Sequence, residues 1–513
     1  MADAAALSLL AAPPVSGRAE VQARQRFLWL CASLLAVYGV IFWCFVPGRT
    51  DEYWDHTAAI RALTESFLHP VHPLMQVPLA GERWFNPYLL LMAGIAKAAG
   101  LMPVDVLKLG GPLNLALLFV GLYRFAAVST GLGRGVAGWM LISYLFFWTT
   151  RGAMVRELGY SPAAFVASGT PLLWWLALRL VNRPTAARMA WVVAAGSILW
   201  LCHQLAAGVA LINAAWLMLL EPSSPWRRRA LLALGMACGI LLLSECWPYF
   251  SSVRLLLGSF RQYGYGSSHI HQAWEARLYL ALLGPNLLGL VLLTTRQGRS
   301  LLERFLQVSA GSFGVLWAVL LAARSQYHSA AILAVGNAFA LRVGLELARP
   351  AGPGWSAILR TALILAILLQ VKFTAGWFHQ MYGTPSGAAY RQMLQDYRQL
   401  PRHVGRSDVV LSDLWTSWQV PTFAGKTLTR PPGHEVDYSV PYREQQQRAR
   451  ALQQLLDPAT SGAIRQALLQ RYHIRYVLVN RVLAPEFDLR HLVRMGETVW
   501  ETPRLTLVRL SAS

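Results

Sequence analysis

Asp51, Glu52 and Asp55 set three carboxylates within five residues, in the run Asp51-Glu52-Tyr53-Trp54-Asp55-His56. Like charges this close oppose one another's ionisation unless water, a metal or a substrate proton compensates them. Such tension is one way to prepare a base that can take a proton from a hydroxyl. The run follows directly on a long apolar stretch, Phe27 to Val46, so the acids emerge where a chain would leave a membrane, a costly place for charge. A helix over 51–68 would put Asp51 and Asp55 on one face and align Ile60, Leu63, Phe67 and Leu68 as an apolar stripe, resting on a membrane surface. The competing reading is that the acids only solvate a loop end.

Composition sets the elements that must hold this run. The chain has 513 residues, 55% hydrophobic and 14% charged, with 20 Trp, and its mean hydropathy is positive. These values describe a polytopic α-helical membrane protein rather than a soluble one. The net charge of +21 arises from arginine clusters recurring between apolar segments, which speaks for membrane topology and against a nucleic-acid partner. The cysteines Cys31, Cys44, Cys202, Cys238 and Cys246 all fall in or beside apolar segments, with neither a disulfide framework nor metal-ligand spacing.

Arg18, Arg24 and Arg26 precede the first apolar run, which lacks a small-residue cleavage site, so residues 1–26 read as a cytoplasmic tail and 27–46 as a retained span. Residues 47–104 read as one large outer loop. In it His69-Pro70-Val71-His72-Pro73 breaks the first helix, and a second, short helix starts at Asn86-Pro87-Tyr88 and runs to about Ala99. His69 and His72 read as surface histidines in preference to metal ligands, and Glu82 as a solvated loop acid in preference to a lining of the cavity. Further apolar segments follow at 105–126, 135–150, 158–181, 187–204, 206–220, 230–247, 276–295, 305–323, 329–347 and 355–374. Alternating their sides places the intervening arginines, Arg227-Arg228-Arg229 and Arg349 among them, in cytoplasmic loops. The expectation is about eleven spans over 27–374, with the N-terminus inside and the C-terminus outside.

This topology gathers acids and bases on the outer face. Glu157 ends the 151–157 segment, His203-Gln204 forms a tight turn, and Glu245 precedes Trp247-Pro248-Tyr249. The loop 249–275 carries Arg254, Arg261, His269, His271 and Glu275, and Arg324-Ser325-Gln326-Tyr327-His328 makes a further turn. Each alone reads as an interfacial anchor; together they line one side of the bundle. Residues 375–513 are of ordinary polarity, with strand patterns at 408–412, 475–480 and 504–510 and helical patterns at 387–399, 441–456 and 461–471. They predict a small periplasmic mixed α/β domain. Its stretch Asp413 to Pro421, following the first strand, reads as a binding loop or as aromatics docking the domain on the membrane.

These features resemble the GT-C glycosyltransferases, integral membrane enzymes that transfer a sugar from a polyprenyl-phosphate donor outside the cytoplasmic membrane. As architecture the likeness covers most of the chain. At residue level it rests on Asp51-Glu52 with Tyr53 and Ile60-Arg61-Ala62-Leu63, on Phe85-Asn86-Pro87-Tyr88, on Glu157, and on Asp408 to Asp413 and Tyr476 to Asn480. It is similar to bacterial members related to protein O-mannosyltransferases and lipid A aminoarabinose transferases. The resemblance implies a bacterial inner-membrane enzyme with Asp51 as catalytic base, Glu52 beside it and Glu157 as a second acid. Cations must then bind the leaving phosphate, and Arg324 and His328 are favoured over Arg254 and Arg261. Tyr88, His203 and Glu245 complete the expected substrate-binding set. The acids could hold a divalent cation such as Mg or Mn or act without one; both stay open. The acceptor could be a glycan, a lipid or a protein, and no signature of the protein N-glycosylating members is found. Alternatives are a flippase of lipid-linked saccharide, which would set polar groups near mid-membrane, a polymerase or ligase using a polyprenyl-diphosphate donor, and a non-enzymatic scaffold.

Overall fold

The computed structural model describes residues 17–48, 52–77, 84–129, 136–148, 159–262, 300–322, 328–349, 353–429, 440, 442–485 and 490–511. They form two compact units, one of residues 1–43, 109–247 and 252–374, the other of 44–108, 248–251 and 375–513.

The first unit is helical. Its helices are α1 (Gly17–Trp43), then, after the short helices of the second unit, α5 (Gly110–Ser129), α6 (Val136–Trp148), α7 (Pro162–Asn182), α8 (Ala186–Cys202), α9 (Gln204–Leu220), α10 (Trp226–Glu245), α11 (Ser252–Gln262), α12 (Leu301–Ala322), α13 (His328–Ala348) and α14 (Pro353–Tyr382), the last running on into the second unit. Among the described residues four helical stretches are long and apolar enough to cross a membrane: Val21–Trp43, Pro103–Ser129, Pro162–Asn182 and Ser356–Tyr382. The apolar segment expected at 276–295 lies outside the described residues.

Local chemistry explains where these helices begin and end. Ser161 caps α7 by accepting from Ala164 N at 3.1 Å, with Pro162 as its first residue, and Thr185 caps α8. The turn arginines do more than mark a side. Arg188 donates to the carbonyls of Arg179 and Arg183 at the end of α7, and Arg229 to those of Leu219 and Glu221 at the end of α9. Helix-end carbonyls that would otherwise lack donors are thereby satisfied. The core contains Phe125, Trp174 and Phe305, whose rings meet at 5.2 to 6.4 Å. Gly344 on α13 lies so close to α6 that a Cβ there would come within 2.6 Å of Met140 Cα.

Charge is also buried in this unit. Arg342 of α13 pairs with Glu303 of α12 at 2.9 Å and with Glu346 at 2.8 Å, and Arg349 joins both acids at 2.7 and 3.2 Å. The Arg342 side chain is 0% exposed.

The second unit holds α2 (Tyr53–Glu65), α3 (Pro87–Ala99) and α4 (Pro103–Val106), together with α15 (Pro385–Tyr397), α16 (Leu414–Phe423), α17 (Tyr442–Leu456), α18 (Gly462–Arg471) and α19 (Arg490–Val493). Five strands form one sheet: β1 (Val409–Leu411), β2 (Lys426–Thr427), β3 (Ile474–Asn480), β4 (Gly496–Glu501) and β5 (Leu505–Leu510), ordered β2-β1-β3-β5-β4. The β2-β1-β3 half is parallel and the β3-β5-β4 half antiparallel, so the expected mixed α/β character is present. Val409, Leu411, Leu452, Leu455, Val477 and Val508 pack between sheet and helices. The two short or polar strands β2 and β4, and the helix α16, were not in the sequence pattern. Asp413 opens α16 by accepting from Trp415 N and Thr416 N at 2.9 and 3.0 Å, so the stretch 413–421 is a capped helix rather than a loop. Burial pushes the Asp413 carboxyl up, against the pull of these donors.

Candidate functional site

The acidic run enters the second unit at the start of α2. Glu52 occupies the N-cap position, but its side chain makes no capping hydrogen bond and is exposed. From Tyr53 to Leu63 every residue is buried, including Asp55, His56, Thr57 and Arg61. The expectation of a helix lying on a membrane surface is therefore corrected. α3 and α16 pack against α2, and Leu68, expected in the apolar stripe, is 82% exposed beyond the helix end at Glu65. A carboxylate buried this completely must be hydrogen-bonded. Asp55 is 1% exposed, and its Oδ1 accepts from the Trp418 indole N–H of α16 at 2.9 Å. Asp55 is thus held as a structural acceptor, while Glu52 faces outward. Asp51 lies outside the described residues, as do Glu82 and Glu157.

Two more bonds tie α2 to its neighbours. Thr57 Oγ1 and Thr422 Oγ1 stand 2.7 Å apart, and Thr422 Oγ1 donates to the Trp54 carbonyl at 3.2 Å. The Trp54 indole N–H donates to Gly48 O at 2.8 Å. Arg61 donates to Gly425 O at 2.6 Å. Gly425 has φ +65°, and a Cβ there would meet Asp408 O at 2.8 Å, so the turn from α16 to β2 requires glycine. Farther along, Asn86 caps α3 by accepting from Leu89 N at 3.0 Å with Pro87 next. Arg398 forks onto both oxygens of Asp105 at 2.8 and 2.9 Å.

The segment after α2 is bound to the sheet edge. Met75 bridges Thr427 of β2, and Thr427 N donates to Leu74 O at 2.8 Å. His72, expected on the surface, is buried; its Nδ1 accepts from Leu74 N at 3.1 Å and Met75 N at 3.0 Å, so its ring closes the turn that His-Pro begins. Lys426 Nζ donates to the carbonyls of His72 and Pro73. Desolvation pulls the Lys426 ammonium down to about 7, Arg61 adding to it and Glu65 opposing. Below pH 7 the folded protein must charge a buried amine, and from pH 7 to about 10.4 the unfolded chain binds the extra proton. Stability should therefore rise across that window. Relative to Lys426→Met, the wild type is expected to gain ~4 kcal/mol between pH 7 and pH 10.5 in detergent. Parallel unfolding curves for the two proteins, with no pH-dependent difference, would show that the amine is not desolvated.

The remaining sequence candidates have these places. Tyr88 is buried in the first turn of α3. His203 caps α9, its Nδ1 accepting from Ala206 N at 3.2 Å. Glu245 accepts from Ser252 Oγ at 2.6 Å and Val253 N at 2.8 Å, which caps α11. Arg254 is exposed on α11, and Arg261 lies near the end of that helix, its side chain not described. His328 begins α13, its side chain likewise not described, and Arg324 lies outside the described residues, as do His269, His271 and Glu275. Among the described residues no three His, Cys, Asp or Glu side chains gather into a metal-sized cluster. Trp418 and Thr422 were not read from the sequence as partners of the acidic run, nor Lys426 as a partner of the His72-Pro73 turn. Only the N-cap signal of Asp413 could have pointed to a helix there, and Pro421 obscures it.

No protein-family model and no curated protein matches the chain. Solved structures do. The oligosaccharyltransferase of Archaeoglobus fulgidus, in a complex with Zn and sulfate, aligns at TM-score 0.52 over 94% of this chain and 73% of that one, at 14% identity. The arabinofuranosyltransferase AftD from Mycobacteria aligns at TM-score 0.58 over 94% of this chain and 42% of that one, also at 14% identity. Both are glycosyltransferases by name, and at 14% identity the likeness of this chain to them is one of fold.

Proposed function

We propose that the chain is a membrane glycosyltransferase that moves one sugar from a polyprenyl-phosphate donor to an acceptor hydroxyl, with inversion, on the periplasmic side of a bacterial inner membrane. The observation that carries this reading is Glu52, an exposed carboxylate at the head of an otherwise buried helix, next in sequence to Asp51, in a chain of this fold. About eleven spans over 27–374 would carry the outer loop 47–104, with 1–26 in the cytoplasm and 375–513 as the periplasmic domain. In the reaction the acceptor oxygen bonds to the anomeric carbon as that carbon's bond to the phosphate oxygen breaks. The acceptor proton passes to Asp51, and the polyprenyl phosphate departs with its negative charge, so no general acid is needed.

Arg324 and His328 would bind that phosphate, with Arg254 and Arg261 as further cations and Tyr88, His203 and Glu245 lining the acceptor path. Glu52, being exposed, would be within reach of a divalent ion such as Mg or Mn shared with Asp51 and Glu157, which could supply charge for the departing phosphate. The acceptor remains a glycan, a lipid or a protein. The test compares envelope glycans by mass spectrometry in a deletion strain and its wild-type complement. Loss of one sugar mass in the deletion, and its return on complementation, is the expected result and names the donor sugar. Unchanged glycan masses in the deletion strain would refute sugar transfer.

A further inference from the structure

We infer that Trp418 and Thr422 of α16 are positioning residues for the acidic run, setting the axial rotation of α2 and with it the direction in which Glu52 at its head faces. The inference rests on the glycosyltransferase reading. α2 carries Asp55, His56, Thr57 and Arg61 into a buried setting, an unusual content for a helix that only fills a core. Burial of nonpolar area does not select one rotation of such a helix, because it is non-directional. Directional bonds do.

α16 supplies two of them one turn apart. The Trp418 indole N–H reaches Asp55, and the Thr422 hydroxyl reaches both Thr57 Oγ1 and the Trp54 carbonyl. These contacts meet the start of α2 at positions 54, 55 and 57, the first of them at its backbone carbonyl. A slip of one residue would turn the helix by about 100° and shift it by about 1.5 Å. Trp54 adds a bond to the chain before the helix, its indole N–H donating to Gly48 O at 2.8 Å. Trp418 is 1% exposed and Trp415, three residues earlier, is 45% exposed, so the two aromatics are not equivalent and only Trp418 serves the acidic run. A displacement of about 1 Å in a reacting group costs on the order of 100-fold in rate, whereas loss of one buried neutral hydrogen bond leaves most of the fold standing.

The test uses the full chain in the deletion strain, under an inducible promoter, and measures how fast the missing glycan mass returns per folded molecule. Folded protein is counted by detergent-solubilised thermal unfolding. Trp418→Phe and Thr422→Val are each expected to slow the return by 10-fold or more at comparable folded abundance. Thr422→Ser, which keeps the hydroxyl, is expected to remain within 2-fold of wild type. A structural role alone would lower abundance or melting temperature and leave the rate per folded molecule unchanged. If Trp418→Phe does not accumulate, the Val and Ser pair at position 422 decides. Wild-type rates per folded molecule in Thr422→Val overturn the positioning role while sugar transfer stands. Failure of the wild type itself to restore any mass overturns sugar transfer, and the positioning role with it.

Discussion

Asp51→Asn is expected to lower sugar transfer by 10²- to 10⁴-fold, the range lost when a positioned general base is removed, with membrane abundance unchanged. The comparison that gives this result meaning is among the three neighbouring acids. Asp55 is buried and bonded to Trp418, so Asp55→Ala would leave a buried indole N–H without its acceptor, at a cost of about 1–3 kcal/mol, and should show as lower melting temperature and lower yield. Glu52 is exposed and makes no capping bond, so Glu52→Gln should leave stability within about 0.5 kcal/mol while changing the rate less than Asp51→Asn does. Rates are measured in the complemented deletion strain and divided by folded protein. An Asp51→Asn protein that transfers at the wild-type rate would remove Asp51 from the chemistry and move the flippase and scaffold readings ahead.

How much of this could be read in advance differs from element to element. The long helices of the first unit were legible because lipid imposes long uniform apolar runs, and α7 to α10 begin and end within about five residues of their apolar segments, whereas α11 (Ser252–Gln262) is a helix in a stretch expected to be loop. Asn86-Pro87 marked the start of α3 through a cap and a fixed φ, both local properties. α2 was found as a helix but given the wrong surroundings. Its periodicity shows a modest apolar stripe, while its burial comes from α3 and from α16, whose bonded residues lie 363 and 365 positions away, and Asp55 and Thr57 find hydrogen-bond partners on that second helix. His72 failed for the same reason, its burial depending on β2. β2 itself spans two residues and has no pattern to detect. At the candidate site, the run of acids could be read from the sequence, but the burial of Asp55 against Trp418 could not, because no local signal connects the two residues.

The charged group on α12 and α13 shows what sequence periodicity hides inside an apolar segment, and it carries the largest expected effect on stability. Arg342→Ala should cost about 3–5 kcal/mol, the usual loss when one partner of a buried ion pair is removed. Glu303 and Glu346, 43 residues apart in sequence, would be left buried with Arg349, whose side chain is 22% exposed, as the cation both still contact. Two like charges would then share one cation in a low-dielectric setting, where their repulsion is weakly screened. The same logic predicts recovery. In Arg342→Met/Glu346→Leu one positive and one negative charge leave together, Glu303 keeps its 2.7 Å contact with Arg349, and the desolvation cost of the lost pair disappears. Thermal unfolding in detergent should therefore place Arg342→Ala far below wild type and the double variant close to it. A double variant as unstable as the single would mean that Arg342 matters for its packing rather than its charge. An Arg342→Ala protein that melts with the wild type would mean that the acids are protonated or hydrated, and that α12 and α13 are held together by their apolar contacts without help from the ion pairs.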